Sequence, residues 1–184
     1  MAEIIRNEVI DKILTRRTVR FYTPEPLTED EIKTLLECAM WAPSGRNSQN
    51  CYVRVITNKD ALDELNVDFK NTVGWDTPAY THWDINPVYQ TAPALFCIFA
   101  ECPDSMGGGI MAENICIAAE GLGLNSCIIG SVGALFDGKY GEKWKQKLGV
   151  PEKDVFVIAV AAGHGDEKPE PKKRRPERFY EVKL

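Results

Sequence analysis

The sequence predicts an α+β fold, a sheet sandwiched by helices. Three observations predict it. Two continuous apolar runs, Ala94–Ala100 and residues 155–162, have the length and composition of strands buried on both faces. Segments with apolar residues at helical spacing alternate with these runs and with two shorter strand-like stretches. No internal repeat or linker divides the 184 residues, so residues 1–184 read as a single domain.

Each element carries its own signal. Residues 5–16 place Ile5, Val9, Ile10, Ile13 and Leu14 on one helical face. Thr23-Pro24-Glu25-Pro26 cannot be helical. Thr28 with Glu31 three residues on is a capping box opening a second helix. Its buried face is Ile32, Leu35, Leu36 and Ala39, and it stops before Pro43. Residues 51–57 alternate as a strand, and residues 59–69 fit a helix. Residues 71–90 are aromatic and turn-rich and read as a loop or lid. Residues 109–122 form a helix apolar or small on most faces, central in a domain or at a subunit interface. Asn125–Ile129 is a short strand, residues 135–148 are amphipathic in parts, and the tail after Gly163 is rich in Pro, Lys and Arg.

The net charge of −5 argues against broad binding to nucleic acid or an anionic membrane. No apolar run approaches the roughly 20 residues that span a bilayer. The opening Met1-Ala2-Glu3-Ile4-Ile5-Arg6 lacks the pattern of a secretory signal, so the expected location is cytoplasmic. The cysteines, Cys38, Cys51, Cys97, Cys102, Cys116 and Cys127, lie mostly in apolar segments and should stay free in a reducing compartment.

Several motifs come close and fail. Gly107-Gly108-Gly109-Ile110-Met111-Ala112 matches a dinucleotide fingerprint, but no strand runs directly into it and no acidic residue stands about 20 positions on. Gly133 to Tyr140 approaches a P-loop, yet Tyr140 stands where a Ser or Thr hydroxyl must bind magnesium. The cysteines form no C-x-x-C, and His82 and His164 are the only histidines, too few and too dispersed for a structural zinc site.

Three segments do form a chemical set. Arg16-Arg17-Thr18-Val19-Arg20 and Lys172-Lys173-Arg174-Arg175 offer charge-assisted donors for a phosphate. Pro43-Ser44-Gly45-Arg46-Asn47-Ser48-Gln49 offers the mixed donors and acceptors that a sugar-like chain or heterocycle edge needs. From chemistry alone the set fits either a bound anionic cofactor or solvated turns with a basic tail.

The order of these motifs resembles the nitroreductase family of flavin mononucleotide (FMN) enzymes. Arg16-Arg17-Thr18-Val19-Arg20 matches an R-R-S-x-R-like motif with Thr for Ser, and Phe21 to Pro26 follows the F-x-x-x-P pattern with a proline one place early. Ala42-Pro43-Ser44-Gly45-Arg46-Asn47-Ser48-Gln49 matches A-P-S-x-x-N-x-Q. Ala112-Glu113-Asn114 through Ala118-Ala119 to Leu122-Gly123-Leu124 matches the central helix, and Ser126 to Gly130 looks like the flavin-face strand end.

The resemblance implies a three-layer α/β/α sandwich with a central mixed sheet, in an intertwined homodimer. It implies that Arg16, Thr18 and Arg20, with Arg17 near them, bind FMN, and that Pro43, Ser44, Gly45 and Asn47 reach the FMN of the partner subunit. Ile128, Ile129 and Gly130 would line the isoalloxazine, and Lys172 and Arg174 would close on the phosphate from a tail over residues 164–184 that extends to the partner. No residue is then needed as a catalytic acid, base or metal ligand, because the cofactor carries the chemistry. The implied reaction is a ping-pong hydride transfer from NADH or NADPH through FMN to a nitroaromatic, quinone or enone. Trp75, Tyr80, Trp83 and Tyr89, within a possible lid over about residues 66–90, either stack on a planar substrate or pack the loop. A specialised relative such as a reductive deiodinase, a non-catalytic flavin-binding or regulatory protein, and a thiol- or metal-based protein are the rival readings.

Overall fold

The computed structural model describes residues 4–76 and 87–182. Helix α1 (Glu8–Thr15) starts later than its apolar spacing suggests, because the Asn7 side chain caps it by accepting from Ile10 N at 2.9 Å. None of its residues is buried, and Val9 and Ile13 are 63% and 51% exposed. Helix α2 (Glu29–Met40) opens with the expected capping box: Glu31 N donates to Thr28 Oγ1 at 3.2 Å and Thr28 N donates to Glu31 Oε2 at 2.7 Å. Leu35 and Ala39 are buried, and Ile32 and Leu36 pack against the same cluster.

Strand β1 (Cys51–Ile56) leads to α3 (Lys59–Val73), which continues past residue 69 into the stretch expected as loop until Gly74 turns the chain at φ 97°. Strand β2 (Ala94–Ala100) is fully buried along its length. Helix α4 (Ser105–Gly121) begins ahead of its expected start at 109, since Asp104 caps it by accepting from Gly107 N at 2.7 Å. The three glycines therefore lie inside the helix. At Gly108 a Cβ would stand 2.4 Å from Val157 Cγ1, so the glycine lets α4 sit close on the sheet.

Strand β3 (Asn125–Ile129) is followed by α5 (Gly133–Asp137), α6 (Gly141–Lys147) and β4 (Val155–Gly163). The expected amphipathic stretch 135–148 is thus two helices broken at Gly138, where a Cβ would meet Thr72 Cγ2 at 2.5 Å.

The sheet has the order β1-β2-β4-β3, and all its strand pairs are antiparallel. The sheet is therefore antiparallel and not mixed as the resemblance implies; Thr18 adds an isolated parallel bridge to Ser126 at the β3 edge, outside the strands. One face of the sheet presents Leu95, Cys97 and Phe99 to Leu62, Phe69, Leu135 and Trp144 of α3, α5 and α6. The other presents Phe96 and Ile98 to Leu35, Met111 and Ile115 of α2 and α4. The result is helices, sheet and helices in three layers. Among the described residues, no helix is long and apolar enough to cross a membrane.

Candidate functional site

Helix α1 ends at Arg16, and the chain then runs extended along the free edge of β3. Thr18 bridges Ser126, and the buried Val19 donates from its N to Ser126 O at 3.1 Å. The Tyr22 hydroxyl donates back to Val19 O at 2.7 Å, closing the turn. This pairing brings the arginine motif to the strand that ends in Ile128, Ile129 and Gly130.

The arginines do different things. Arg16 Nε lies 4.0 Å from Glu113 Oε1 of α4, with its side chain 21% exposed. Arg20 is exposed, and its backbone N donates to Glu167 Oε1. Arg17 turns back: its Nη1 donates to the carbonyls of Leu14, Thr15 and Arg16 at 2.9, 2.9 and 2.8 Å. It caps the C-terminus of α1, where orphan carbonyls and the negative helix end favour a cation.

Arg16 and Arg20 set the electrostatics of this corner. Burial pushes the Cys127 thiol up, Arg20 and Arg16 pull it down, and Glu167 raises it again. Tyr22 is pushed far up by burial, reinforced by the nearby thiols and Glu167. The Ser126 hydroxyl is buried without a full hydrogen-bond partner, its polar neighbour being the Cys116 thiol. Ile128 breaks the burial of β3 at 38% exposure, and the exposed Gly130 has open space where a side chain would stand. Two cations, an unsatisfied hydroxyl and an exposed apolar strand end therefore share one corner. Ile129, by contrast, is buried in the core.

Pro43, Ser44, Gly45 and Asn47 lie elsewhere. Their loop precedes β1 and roofs an apolar cavity of about 230 Å³ walled by Leu36, Met40, Cys51 and Met111. Arg46, Asn47 and Gln49 all hold positive φ, at 55°, 57° and 49°. Ser44 secures the turn by accepting from Asn47 N on its carbonyl and from Gln49 N on its hydroxyl, both at 3.0 Å. Such left-handed non-glycine residues are uncommon and cluster at functional loops.

Cys51 lies opposite Ala100, which lies opposite Val155, whereas Ser126 pairs with Ala162. That separates the rows by about 23 Å along β4, and β1 stands about 14 Å across the sheet from β3. Within one chain this loop and the arginine corner do not meet. Lys172 and Arg174 are exposed in the tail, beyond the anchor at Glu167.

Of the aromatic candidates, Tyr89 is buried, and its hydroxyl donates to Asp63 Oδ1 at 2.5 Å, so it packs the fold. Trp75 is 54% exposed and donates from Nε1 to Asn71 Oδ1 at 2.9 Å. Tyr80 and Trp83, like His82, lie outside the described residues. The six cysteines are free thiols. Burial pushes Cys97 up to about 12 and Cys51 and Cys116 up to about 11, which leaves those three thiols protonated and unreactive near neutral pH. Sequence reasoning missed Glu113 and Glu167 as members of this corner. Glu113 stands inside the central-helix motif, while Glu167 carries no local signal.

The chain is 26% identical over 179 residues to the NADPH-flavin oxidoreductase of Vibrio harveyi, covering 92% of this chain and 71% of that protein. A nitroreductase with bound FMN from Bacteroides fragilis superposes with a TM-score of 0.87 at 26% identity, over 97% of this chain and all of that one. A second, from Desulfitobacterium hafniense, shares the fold with a TM-score of 0.89 at 24% identity and the same coverage. The model of the nitroreductase family matches residues 13–164, from the last turns of α1 to the end of β4. That span takes in the arginine corner, the Ser44 loop and the whole sheet, and the chain belongs to the nitroreductase family.

Proposed function

We propose that the chain is an FMN-dependent oxidoreductase that takes electrons from NADH or NADPH and delivers them to a small-molecule acceptor such as a nitroaromatic, quinone or enone. The observation that carries this reading is the corner at β3, where Arg16 and Arg20 adjoin the strand end at which Ile128 and Gly130 are exposed. A ligand with an anionic arm and a flat, largely apolar ring system suits that donor set. FMN is such a ligand, and when bound it supplies two-electron redox chemistry.

The chain's own part is binding and orientation. Arg16 and Arg20 offset the phosphate charge, and Thr18 offers a hydroxyl to the ribityl chain. Gly130 admits close approach of a ring edge to the backbone. Arg17 acts indirectly, holding the end of α1 from which the motif emerges.

The second half of the site comes from a second copy of the chain. The loop of Pro43, Ser44, Gly45 and Asn47 is too distant to serve its own corner, so it serves the partner's. Several surfaces favour such a homodimer. Helix α1 has no buried residue, Trp41 is 76% exposed, and an open apolar groove runs between Ile13, Trp41 and Ile117. The tail carries Phe179, Tyr180 and Val182, exposed by 83%, 78% and 64%. Apolar area of this extent marks an interaction surface.

The test is anaerobic addition of NADH or NADPH to the flavin-loaded protein. Loss of the oxidised flavin absorbance is expected. Flavin that stays oxidised with both donors would instead make the chain a flavin binder without this activity.

A further inference from the structure

We propose that Glu167 is a positioning residue that fixes where the C-terminal tail leaves the fold, and thereby where Lys172 and Arg174 meet an FMN phosphate; this rests on the cofactor reading of the β3 corner. The root of the tail is zipped to the segment after the arginine motif. Thr23 N donates to His164 O and Asp166 N to Phe21 O, both at 2.8 Å, and Tyr22 bridges Gly165 antiparallel. Gly165 is held from the other side by donating to Asn125 Oδ1 at 3.1 Å. A Cβ there would stand 2.4 Å from that oxygen, so a larger residue would displace the Asn125 side chain that holds the turn.

The backbone ladder ends at Asp166. The Val19 N has already turned to Ser126 O, at 3.1 Å. The Arg20 N goes to the Glu167 carboxylate and not to a backbone carbonyl. Arg20 stands opposite Glu167 in this register, at a position whose N–H the ladder does not use, and the Glu167 side chain accepts from it where the paired main chains part. The carboxylate charge makes this a stronger bond than an amide–carbonyl pair.

The segment beyond Glu167 is stiff. Lys168-Pro169-Glu170-Pro171 carries two prolines in four residues, and such segments stay extended at about 3.1 Å per residue. Lys172 is five positions beyond Glu167, so it lies at the end of a semi-rigid spacer of about 16 Å. The direction set at Glu167 is carried to Lys172 and Arg174, because the spacer cannot bend freely to correct it.

The test is an FMN titration, followed by quenching of flavin fluorescence, on the full chain. It compares wild type, Glu167→Ala, Glu167→Gln, the pair Lys172→Ala/Arg174→Ala, and the triple variant combining Glu167→Ala with that pair. Glu167→Ala is expected to weaken FMN binding about tenfold, the scale of one hydrogen bond to a charged group. Glu167→Gln keeps an acceptor for Arg20 N and is expected to restore most of it. The triple variant is expected to bind no more weakly than the tail pair, since Glu167 acts through the tail. Wild-type affinity in Glu167→Ala, or losses that multiply in the triple variant, would overturn the proposal and leave the cofactor reading intact. A wild-type chain that takes up no FMN would overturn both. Should Glu167→Ala fail to fold, Glu167→Asp, which withdraws the carboxylate by one methylene, takes its place with the same expected loss.

Discussion

The guanidinium of Arg17 donates to the Leu14 carbonyl at 2.9 Å, while its neighbours Arg16 and Arg20 leave their charge at the β3 corner. Adjacent residues of one motif therefore have separable functions. Arg17→Ala is expected to cost about 1 kcal/mol of stability, the scale of a lost helix cap, with FMN affinity changed less than threefold. Arg16→Ala and Arg20→Ala are expected to leave stability nearly unchanged and to weaken FMN binding at least tenfold. Urea denaturation and flavin titration on the three variants check the contrast.

Gly108 and Gly109 of α4 differ in the same way. A Cβ at Gly108 meets Val157, whereas one at Gly109 meets nothing within 4 Å. Gly109→Ala should stabilise by up to about 1 kcal/mol through helix propensity. Gly108→Ala should destabilise by about 1–3 kcal/mol through overpacking, and Val157→Ala should recover part of that loss. Thermal or urea unfolding of the three variants reads the sign of each effect.

Asp68 is a buried carboxylate that holds α3 to α6. Its Oδ2 accepts from Trp144 Nε1 at 2.9 Å and from Lys143 Nζ at 2.6 Å. Asp68→Ala strands the buried indole N–H and should cost about 1–3 kcal/mol. Lys143→Ala, which removes only the more exposed partner, should cost less than about 1 kcal/mol. The urea midpoints of the two variants distinguish these outcomes.

The buried thiols predict alkaline lability. Cys97 is pushed up to about 12 in the fold from an ordinary value of 9.0. Between those values the unfolded chain loses a proton that the folded chain keeps, so stability falls as pH rises. The thiol's contribution is fully present below pH 9.0 and is lost toward pH 12. Urea midpoints at pH 8, 9 and 10 should decline, and Cys97→Ala should reduce the slope.

Much of the fold was legible because local chemistry agreed with tertiary need. The Thr28–Glu31 box and the uninterrupted apolar run of β2 each point to one structure only. The differences arise where a distant contact decides. Three consecutive glycines discourage a helix by propensity, yet they lie inside α4 because Asp104 caps it ahead of them, and Val157 leaves no room for a side chain at Gly108. Gly138 breaks an amphipathic pattern because Thr72 packs there. In the site, residue types announced a phosphate-compatible set, but not which arginine folds back onto its helix. That depends on where α1 ends, because Arg17 folds back onto the carbonyls left open at that end. Glu167 was invisible because its partner, Arg20, lies 147 positions away.

Whether the β3 corner holds FMN is read from the absorbance spectrum of the purified protein, followed by analysis of the flavin released on heating. Oxidised flavin bands with about one FMN released per chain are predicted, and Arg20→Ala prepared in parallel should carry much less. A colourless protein that takes up no added FMN would contradict the account, and the arginine corner would then be a surface turn capped by Glu167.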